Sequence, residues 1–296
     1  MPLRVGYVRE HFSSPLLQFA IDDRDQTFTL VECPSGTGQL ISRLTNDEID
    51  VAIALTDPLI SGIANGSKEY KLIGSYVNTP LNWAVITGVE SKYQSIADLE
   101  GTPIGISRIG SGSQTMAYVM ALQQGWATTD DKLEFRVNND IRGLIDSVND
   151  GTTSAFMWEW FTTKPFVDAG QARFIGSVPT PWPSWLIAAH RSQERAPAHE
   201  LRAFLRVLSK YVVEFDAPEN RAGPNVEFIK EKFGYRKEDI EAWLKTVAYP
   251  NDCARIPEKV IADTLNMLKK AGVVKLSEGH QFDVTTFIDT TVAELT

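Results

Sequence analysis

The sequence is poor in cysteine and histidine and has no long apolar run, and each shortage argues against a class of protein. Two cysteines, Cys33 and Cys253, stand far apart among 296 residues, so neither a disulfide framework nor a cysteine-rich metal site is expected. The four histidines match no metal-ligand spacing. No apolar stretch approaches the roughly 20 residues that span a bilayer, so membrane insertion is not expected.

Positive charge is also scarce, since 29 lysines and arginines stand against 38 aspartates and glutamates, for a formal net charge of −9. No basic block offsets this surplus, which argues against a nucleic acid or an anionic membrane as a partner. A small anionic ligand is still compatible with this composition, because such a ligand senses the charges of its pocket and not those of the whole surface. Hydrophobic residues at 43% and charged residues at 23% are typical of a globular protein.

The N-terminal residues give an expectation about location. Met1-Pro2-Leu3-Arg4 leads directly into an apolar alternation, without the basic stretch and apolar stretch that make up a secretory signal peptide. We therefore expect a cytoplasmic protein, or a periplasmic one if a leader has been removed.

Strand and helix patterns alternate through residues 1–90 and again through 91–187, which predicts an α/β fold with parallel strands. Val51–Leu55 is typical of a buried parallel strand, and residues 141–148 have the apolar spacing of an amphipathic helix. The last third of the chain carries three helical apolar stripes.

A chain that leaves one lobe, builds a second and returns near Trp185–His190 has two crossing segments that can act as a hinge. The sequence therefore predicts lobe I from 1–90 plus 188–296, lobe II from 91–187, and a ligand cleft between them. The helical C-terminal part belongs to lobe I. One continuous doubly wound sheet is the alternative.

Two turns between a strand and a helix are rich in small polar residues. The first helical turn has unpaired N–H groups and a partial positive charge, which suit a carboxylate, phosphate or sulfonate. Neither turn has the spacing of a nucleotide-binding loop, and a plain helix cap is the alternative for each. The predicted ligand contacts are Gly36 and Thr37 in one turn, and Ser111, Gly112, Ser113 and Gln114 in the other.

Tryptophans cluster around two further segments, Met157–Phe161 and Thr180–Trp185. Ligand pockets are often apolar and aromatic with a few polar anchors. We predict ligand contacts at Trp158, Glu159 and Trp182, and at Trp83 in a separate turn, with Glu159 able to bind an amine or a ring N–H. Core or hinge packing of the tryptophans is the alternative.

Two loops at strand ends supply further candidates, because ligands of open α/β sheets bind beyond the carboxyl ends of the strands. These candidates are Glu10 and His11 in the first loop, and Thr56 and Asp57 in the second. A structural role for His11, and a helix-capping role for Asp57, are the alternatives.

Two segments resemble one known family. Ser95–Gly105 (SIADLEGTPIG), which leads to Gly110–Tyr118 (GSGSQTMAY), resembles the nitrate, sulfonate, taurine and thiamine-pyrimidine-precursor branch of the type II periplasmic binding proteins. Gly36–Asp57 resembles the first-lobe segment of that branch. The resemblance implies a two-lobe, venus-flytrap fold and a ligand-binding role for Gly36, Thr37, Thr56 and Ser111–Gln114.

Three other segments, Glu10–Leu16 (EHFSSPL), Met157–Pro165 (MWEWFTTKP) and Pro179–Trp185 (PTPWPSW), are similar to a small, solitary group of such proteins from fungi and some bacteria. Fungal thiamine-pyrimidine synthases share the fold and use a cysteine-rich iron motif with a lysine-bound pyridoxal phosphate. This sequence has no cysteine cluster, so we expect no cofactor and no metal.

Neither a catalytic motif nor an assembled catalytic set stands out, so we expect a binding protein, although turnover stays open. The expected ligand is a small polar metabolite, such as an anionic or heteroaromatic compound that resembles a thiamine precursor, a sulfonate or a carboxylate. No obligate protein partner is expected. The alternatives are an enzyme of thiamine-pyrimidine biosynthesis on the same fold and a substrate-binding protein of an ABC transporter.

Overall fold

The computed structural model of the chain describes residues 2–126, 133–274 and 282–296. Its contacts divide these residues into two units. The sequence predicts that the chain passes from one lobe to the other near residues 90 and 187. In the structure, the chain passes between the units after Thr79 and after Pro181. Unit 1 comprises 2–79, 182–263 and 282–296, and unit 2 comprises 80–126, 133–181 and 264–274.

Unit 1 begins with three strand–helix pairs and a fourth strand, as the sequence predicts. These elements are β1 (Leu3–Tyr7), α1 (Ser14–Asp23), β2 (Phe28–Glu32), α2 (Thr37–Thr45), β3 (Val51–Leu55), α3 (Thr56–Ala64) and β4 (Tyr70–Val77). Unit 2 follows with β5 (Asn82–Thr87), β6 (Ile104–Ile106), α4 (Gly112–Gln123), β7 (Phe135–Val137), α5 (Ile141–Asn149), β8 (Ala155–Glu159), α6 (Trp160–Asp168) and β9 (Arg173–Pro179).

The chain then returns to unit 1 and becomes mainly helical. The last elements are β10 (Trp185–His190), α7 (Ala198–Asp216), α8 (Pro218–Arg221), α9 (Pro224–Phe233), α10 (Lys237–Leu244), β11 (Arg255–Ile256), α11 (Glu258–Lys270) and β12 (Glu294–Leu295). Helix α11 begins in unit 1 and ends in unit 2. None of the helices within the described ranges is long and apolar enough to cross a membrane.

The sheet of unit 1 has the order β2-β1-β3-β10-β4. Its strands β1, β2 and β3 are parallel, but β10 runs antiparallel to both β3 and β4. Residues Val51–Ala54 are buried on both faces of the sheet, which is why β3 is apolar throughout. A side chain at Gly6 of β1 would come within 2.7 Å of Leu40 on α2, so this glycine lets the helix pack closely.

The sheet of unit 2 has the order β7-β6-β8-β5-β9, and its antiparallel member is β5. The alternation of elements predicts parallel strands, so β5 and β10 are corrections to that expectation. The predicted apolar face of α5 packs on one side of this sheet. The buried hydrophobic cluster between α5 and the sheet consists of Ala84, Ile86, Leu144, Ile145, Val148, Phe156 and Ala172.

One buried carboxylate joins three parts of unit 1. Asp50, directly before β3, accepts hydrogen bonds from Arg4 Nη2 at 2.7 Å and Arg4 Nε at 3.0 Å. Arg195 Nη2 donates to the same carboxylate at 2.9 Å. Because β1, β3 and the segment after β10 all attach to it, removing this group leaves two guanidinium groups without their shared anion.

We expect Asp50→Ala to lower the free energy of unfolding by about 2 kcal/mol, because it removes a buried carboxylate that accepts charge-assisted hydrogen bonds from Arg4 and Arg195. The matched control is Asp146→Ala, whose carboxylate pairs with Arg142 on the exposed surface of α5. An exposed pair of this kind contributes about 0.5 kcal/mol or less. Urea unfolding followed by circular dichroism measures both variants, and equal losses would contradict a structural role for Asp50.

Candidate functional site

The start of α4 in unit 2 is shaped by serine hydroxyls that bind within the protein. Ser111 Oγ accepts a hydrogen bond from Gln114 N at 3.4 Å, which caps the helix. Ser113 Oγ lies 2.9 Å from Ser111 Oγ and accepts from Ser107 N at 3.3 Å. The amides of Gly112 and Ser113 belong to the first turn, where no earlier helical carbonyl can accept from them. The backbone is therefore the main source of donors at this point.

The loop before α4 has a fixed conformation. Gly110 has φ +76°, a left-handed conformation that favours glycine. Its amide donates to Gln114 Oε1 at 2.7 Å. This bond uses Oε1 of the Gln114 side chain, so the side-chain NH₂ group is the part of Gln114 that can donate to another acceptor.

Arg108, in the same loop, was not predicted as a site residue. It is partly buried, and this burial lowers the pKa of its guanidinium. Arg108 adds a cation to the loop that leads into the positive end of α4. The sequence feature that could have indicated Arg108 as a candidate is its position, as a basic residue between an apolar strand and a run of small polar residues.

A second group of predicted residues lies where β5 pairs with β8. Trp83 is directly opposite Glu159 in the antiparallel register, so their side chains share one face of the sheet. Glu159 is buried and accepts from Thr162 N at 2.6 Å, which caps α6. Trp158 points to the opposite face, where it packs against the core that α5 covers. The structure thus brings Trp83 and Glu159 together and separates Trp158 from them.

The indole of Trp83 contributes a buried hydrogen-bond donor. Its Nε1 atom has no acceptor among the residues that the structure describes. Buried polar groups of folded proteins are nearly always hydrogen-bonded, so this N–H suits a ligand acceptor or an ordered water.

The predicted residues of unit 1 bind mainly to the protein itself. Gly36, with φ +76°, precedes α2, and its amide donates to Cys33 O at 3.0 Å. Thr37 Oγ1 accepts from Leu55 N at 3.1 Å. Thr56 Oγ1 donates to Pro183 O at 2.5 Å, and Thr56 is fully buried. These hydroxyls fasten helix starts to neighbouring segments, and a role in ligand binding stays a prediction for all three residues.

His11 lies in an aromatic cluster of unit 1 and is only 1% exposed. Its ring centroid is 4.5 Å from those of both Phe12 and Trp243, and 5.3 Å from that of Tyr235. Burial lowers the pKa of the imidazole to about 3, so His11 is neutral at physiological pH. Glu10 precedes it and is partly exposed. Ligand contact by either residue stays a prediction.

The turn that carries His11 is held by two tyrosines. The Phe12 carbonyl accepts from Tyr76 Oη at 2.9 Å and from Tyr249 Oη at 2.7 Å. Burial raises the pKa of both phenols well above the usual value, so both remain hydrogen-bond donors. The position of His11 is therefore determined by the core beneath it.

Asp57 and Trp182, the other predicted contacts, are also buried. Asp57 is the second residue of α3, where a carboxylate interacts favourably with the positive end of the helix. Trp182 comes just before β10 in the chain. No group of three or more histidines, cysteines, aspartates or glutamates within the described ranges could hold a metal ion.

Comparison with known proteins places the chain in a family. Residues 83–178 match the Ca3427-like PBP family model. The Candida albicans CA3427 gene product, reported to define a new family with the generic periplasmic binding protein fold, is 32% identical to the chain. The match covers 100% of this chain and 98% of that one, with a TM-score of 0.87. The chain belongs to the CA3427 family.

Other solved structures share the fold of this CA3427-family member at lower identity. The alkanesulfonate-binding protein SsuA from Xanthomonas axonopodis pv. citri, bound to MOPS, is 16% identical, covers 93% of this chain and 94% of its own, and has a TM-score of 0.75. The periplasmic nitrate-binding protein NrtA from Synechocystis PCC 6803 is 13% identical, with coverages of 98% and 86% and a TM-score of 0.73. No curated protein matches the chain.

The resemblance to type II periplasmic binding proteins and the two-lobe α/β fold class are thereby confirmed. The predicted contact residues stay predictions, because neither the fold nor the identity values assign a role to a particular side chain.

The buried imidazole of His11 makes a prediction about pH. The pKa is 6.5 in an unfolded chain and about 3 in the folded protein. Between these values the unfolded state binds more protons, so stability falls as the pH drops below 6.5, by about 1.4 kcal/mol per pH unit from this group. His11→Phe keeps an aromatic ring at this position but removes the titrating group. The free energy of unfolding of the variant should therefore change less between pH 6.5 and pH 5 than that of the wild-type protein.

Urea unfolding midpoints at pH 7, 6 and 5 measure this difference between the wild-type protein and the variant. The matched control is His199→Phe, which makes the same substitution at an exposed position. A His11→Phe protein that loses stability as steeply as the wild type on acidification would show that His11 is accessible to protons in the folded state.

Proposed function

We propose that the chain binds, without chemical change, a small molecule whose anionic or acceptor-rich head lies at the start of α4. The observation that carries this proposal is the accumulation of hydrogen-bond donors and positive charge there. The donors are the first-turn amides of Gly112 and Ser113, and Arg108 adds a cation to the loop that leads into this turn. Trp83 adds a buried indole N–H in the same unit.

Electrostatics favours an anion over a neutral ligand at this point. The positive end of a helix stabilises a negative group by about 0.3–1 kcal/mol, and by more where water is excluded. Helix α4 has 12 residues, enough for its peptide dipoles to add along the axis. Arg108, in the preceding loop, adds a cation to the same segment of the chain. The net charge of −9 does not oppose this, because a small ligand senses mainly the charges nearest to it.

Glu159 supplies a different kind of contact in unit 2. Its carboxylate is buried on the same sheet face as Trp83. A carboxylate accepts from ammonium groups and from ring N–H groups, so Glu159 favours a ligand that carries such a donor as well as an anionic head. The start of α2 in unit 1, with the first-turn amides of Thr37 and Gly38, is a second candidate for a polar contact.

The proteins that share the fold support an anionic head. SsuA from Xanthomonas axonopodis pv. citri is an alkanesulfonate-binding protein, and NrtA from Synechocystis is a nitrate-binding protein. Both ligands are anions whose oxygens accept hydrogen bonds. We therefore propose a sulfonate or carboxylate as the head group for this chain.

Arg108→Gln tests the proposal. We expect it to weaken the binding of a sulfonate by about 10- to 100-fold, because a hydrogen bond to a charged group contributes about 1.5–3 kcal/mol. Isothermal titration calorimetry with methanesulfonate and acetate, at two salt concentrations, measures the loss. The dependence on salt should also decrease in the variant.

Arg142→Gln is the matched control, since Arg142 belongs to the same unit and is exposed at the surface of α5. It should leave the dissociation constant unchanged. Equal affinities for Arg108→Gln and the wild type would exclude Arg108 from the site. Failure of the wild-type protein to bind any small organic anion would overturn the proposed function itself.

A further inference from the structure

Two buried indole N–H groups of unit 1 lack a hydrogen-bond acceptor among the residues that the structure describes. They belong to Trp185 and Trp243, which are 4% and 2% exposed. The ring centroid of Phe12 lies 5.8 Å from that of Trp185 and 5.4 Å from that of Trp243. We call the rings of His11, Phe12, Trp185 and Trp243 the Phe12 cluster. Buried donors are nearly always paired, so two unpaired donors around one ring indicate an acceptor that these residues do not supply.

The main-chain carbonyls of the turn that carries Phe12 are already in use. Phe12 O accepts from Tyr76 Oη at 2.9 Å and from Tyr249 Oη at 2.7 Å. His11 O accepts from Ser14 Oγ at 2.7 Å and from the backbone amide of the same serine. A carbonyl oxygen has two lone pairs, so each of these oxygens already has two donors. The core beneath the turn therefore uses the acceptors of the turn and leaves the two indoles without them.

The Phe12 cluster lies at the edge of the unit 1 sheet where its parallel strands end. Trp185, the first residue of β10, is directly opposite Leu55, the last residue of β3. Phe12 belongs to the short turn that follows the carboxyl end of β1. Ligands of open α/β sheets bind at this edge. Packing alone does not explain an indole at either position, because a phenylalanine would also fill apolar space and would leave no donor unpaired.

The chemistry of the Phe12 cluster limits what it can bind. Its rings present flat apolar faces, and the indoles can only donate hydrogen bonds. The imidazole of His11 is uncharged, because burial lowers its pKa to about 3. A charged group would lose its hydration here without gaining an opposite charge from these rings. An uncharged ring with acceptor atoms at its edge suits both the faces and the donors.

We propose that the Phe12 cluster binds an uncharged, planar ring that carries acceptor atoms, and that Nε1 of Trp185 and Nε1 of Trp243 donate to those atoms. The acceptors are ring nitrogens or carbonyl oxygens. This inference does not depend on an anion at the start of α4, because every residue of the Phe12 cluster belongs to unit 1. Neither tryptophan is among the contacts predicted from the sequence.

The test uses pyridine and benzene as probes of the full-length protein. The two rings have the same shape, but only pyridine, at a pH where it is uncharged, has a nitrogen that accepts a hydrogen bond in the plane of the ring. Proton–nitrogen NMR follows the indole N–H signal of each of the seven tryptophans during titration. Pyridine should move the signals of Trp185 and Trp243 downfield, as hydrogen bonding does. Benzene controls for the ring current and should not reproduce this shift.

Two variants measure what each donor contributes. Trp185→Phe and Trp243→Phe keep an aromatic ring and remove the N–H, so each should weaken pyridine binding by about three- to tenfold more than benzene binding. The matched control is Trp160→Phe, since Trp160 stacks on Phe174 in unit 2, with centroids 4.0 Å apart. It should leave both dissociation constants unchanged. If a variant fails to fold, the titration of the wild-type protein decides alone, because it requires no substitution.

The outcomes separate this inference from the proposed function. Pyridine that leaves either indole signal in place, or moves both no further than benzene does, overturns the ring site. A water molecule that stays bonded to both indoles in the presence of pyridine, seen as a water–indole Overhauser effect, also overturns it. Downfield shifts of both signals with pyridine alone support it. None of these results changes the expectation for Arg108→Gln, and failure of small anions to bind would leave the ring site standing.

Discussion

A hydrogen bond between a hydroxyl at a helix start and an amide at a strand end holds both candidate regions in place. In unit 1, Thr37 Oγ1 accepts from Leu55 N at the end of β3. In unit 2, Ser113 Oγ accepts from Ser107 N just after β6. Each bond fixes the first turn of a helix against the edge of a sheet. Each bond uses an acceptor position of the hydroxyl, and the first-turn amides of the backbone remain donors without a helical acceptor.

This arrangement explains which parts of the molecule could be predicted from the sequence. Apolar periodicity reports local burial, and it predicted most helices and strands, including α5, α7, α10 and α11 but neither α8 nor α9. The antiparallel direction of β5 and β10 was not predicted. The direction of a strand depends on the end of the sheet at which the chain enters it, and apolar periodicity carries no information about that. Residue type likewise indicated polar helix starts, but not which hydroxyls the protein itself would occupy.

The aromatic segments show the same limit at single residues. Trp158 and Glu159 are neighbours in one strand, and both were predicted to contact a ligand. Adjacent residues of a strand point to opposite faces, so the packing of α5 on one face assigns Trp158 to the core. Glu159 then shares its face with Trp83, which the pairing of β5 with β8 places opposite it. Only the register of that pairing, which is long-range information, makes the distinction.

The proposed function follows from what the first turn of α4 can offer a ligand. Its amides have no earlier helical carbonyl to donate to, and the peptide dipoles of the 12-residue helix place positive charge at this end. A neutral ligand would gain only the hydrogen bonds, whereas an anion would also gain the electrostatic attraction. We therefore propose that the backbone of this turn, more than any single side chain, selects for an anionic head group.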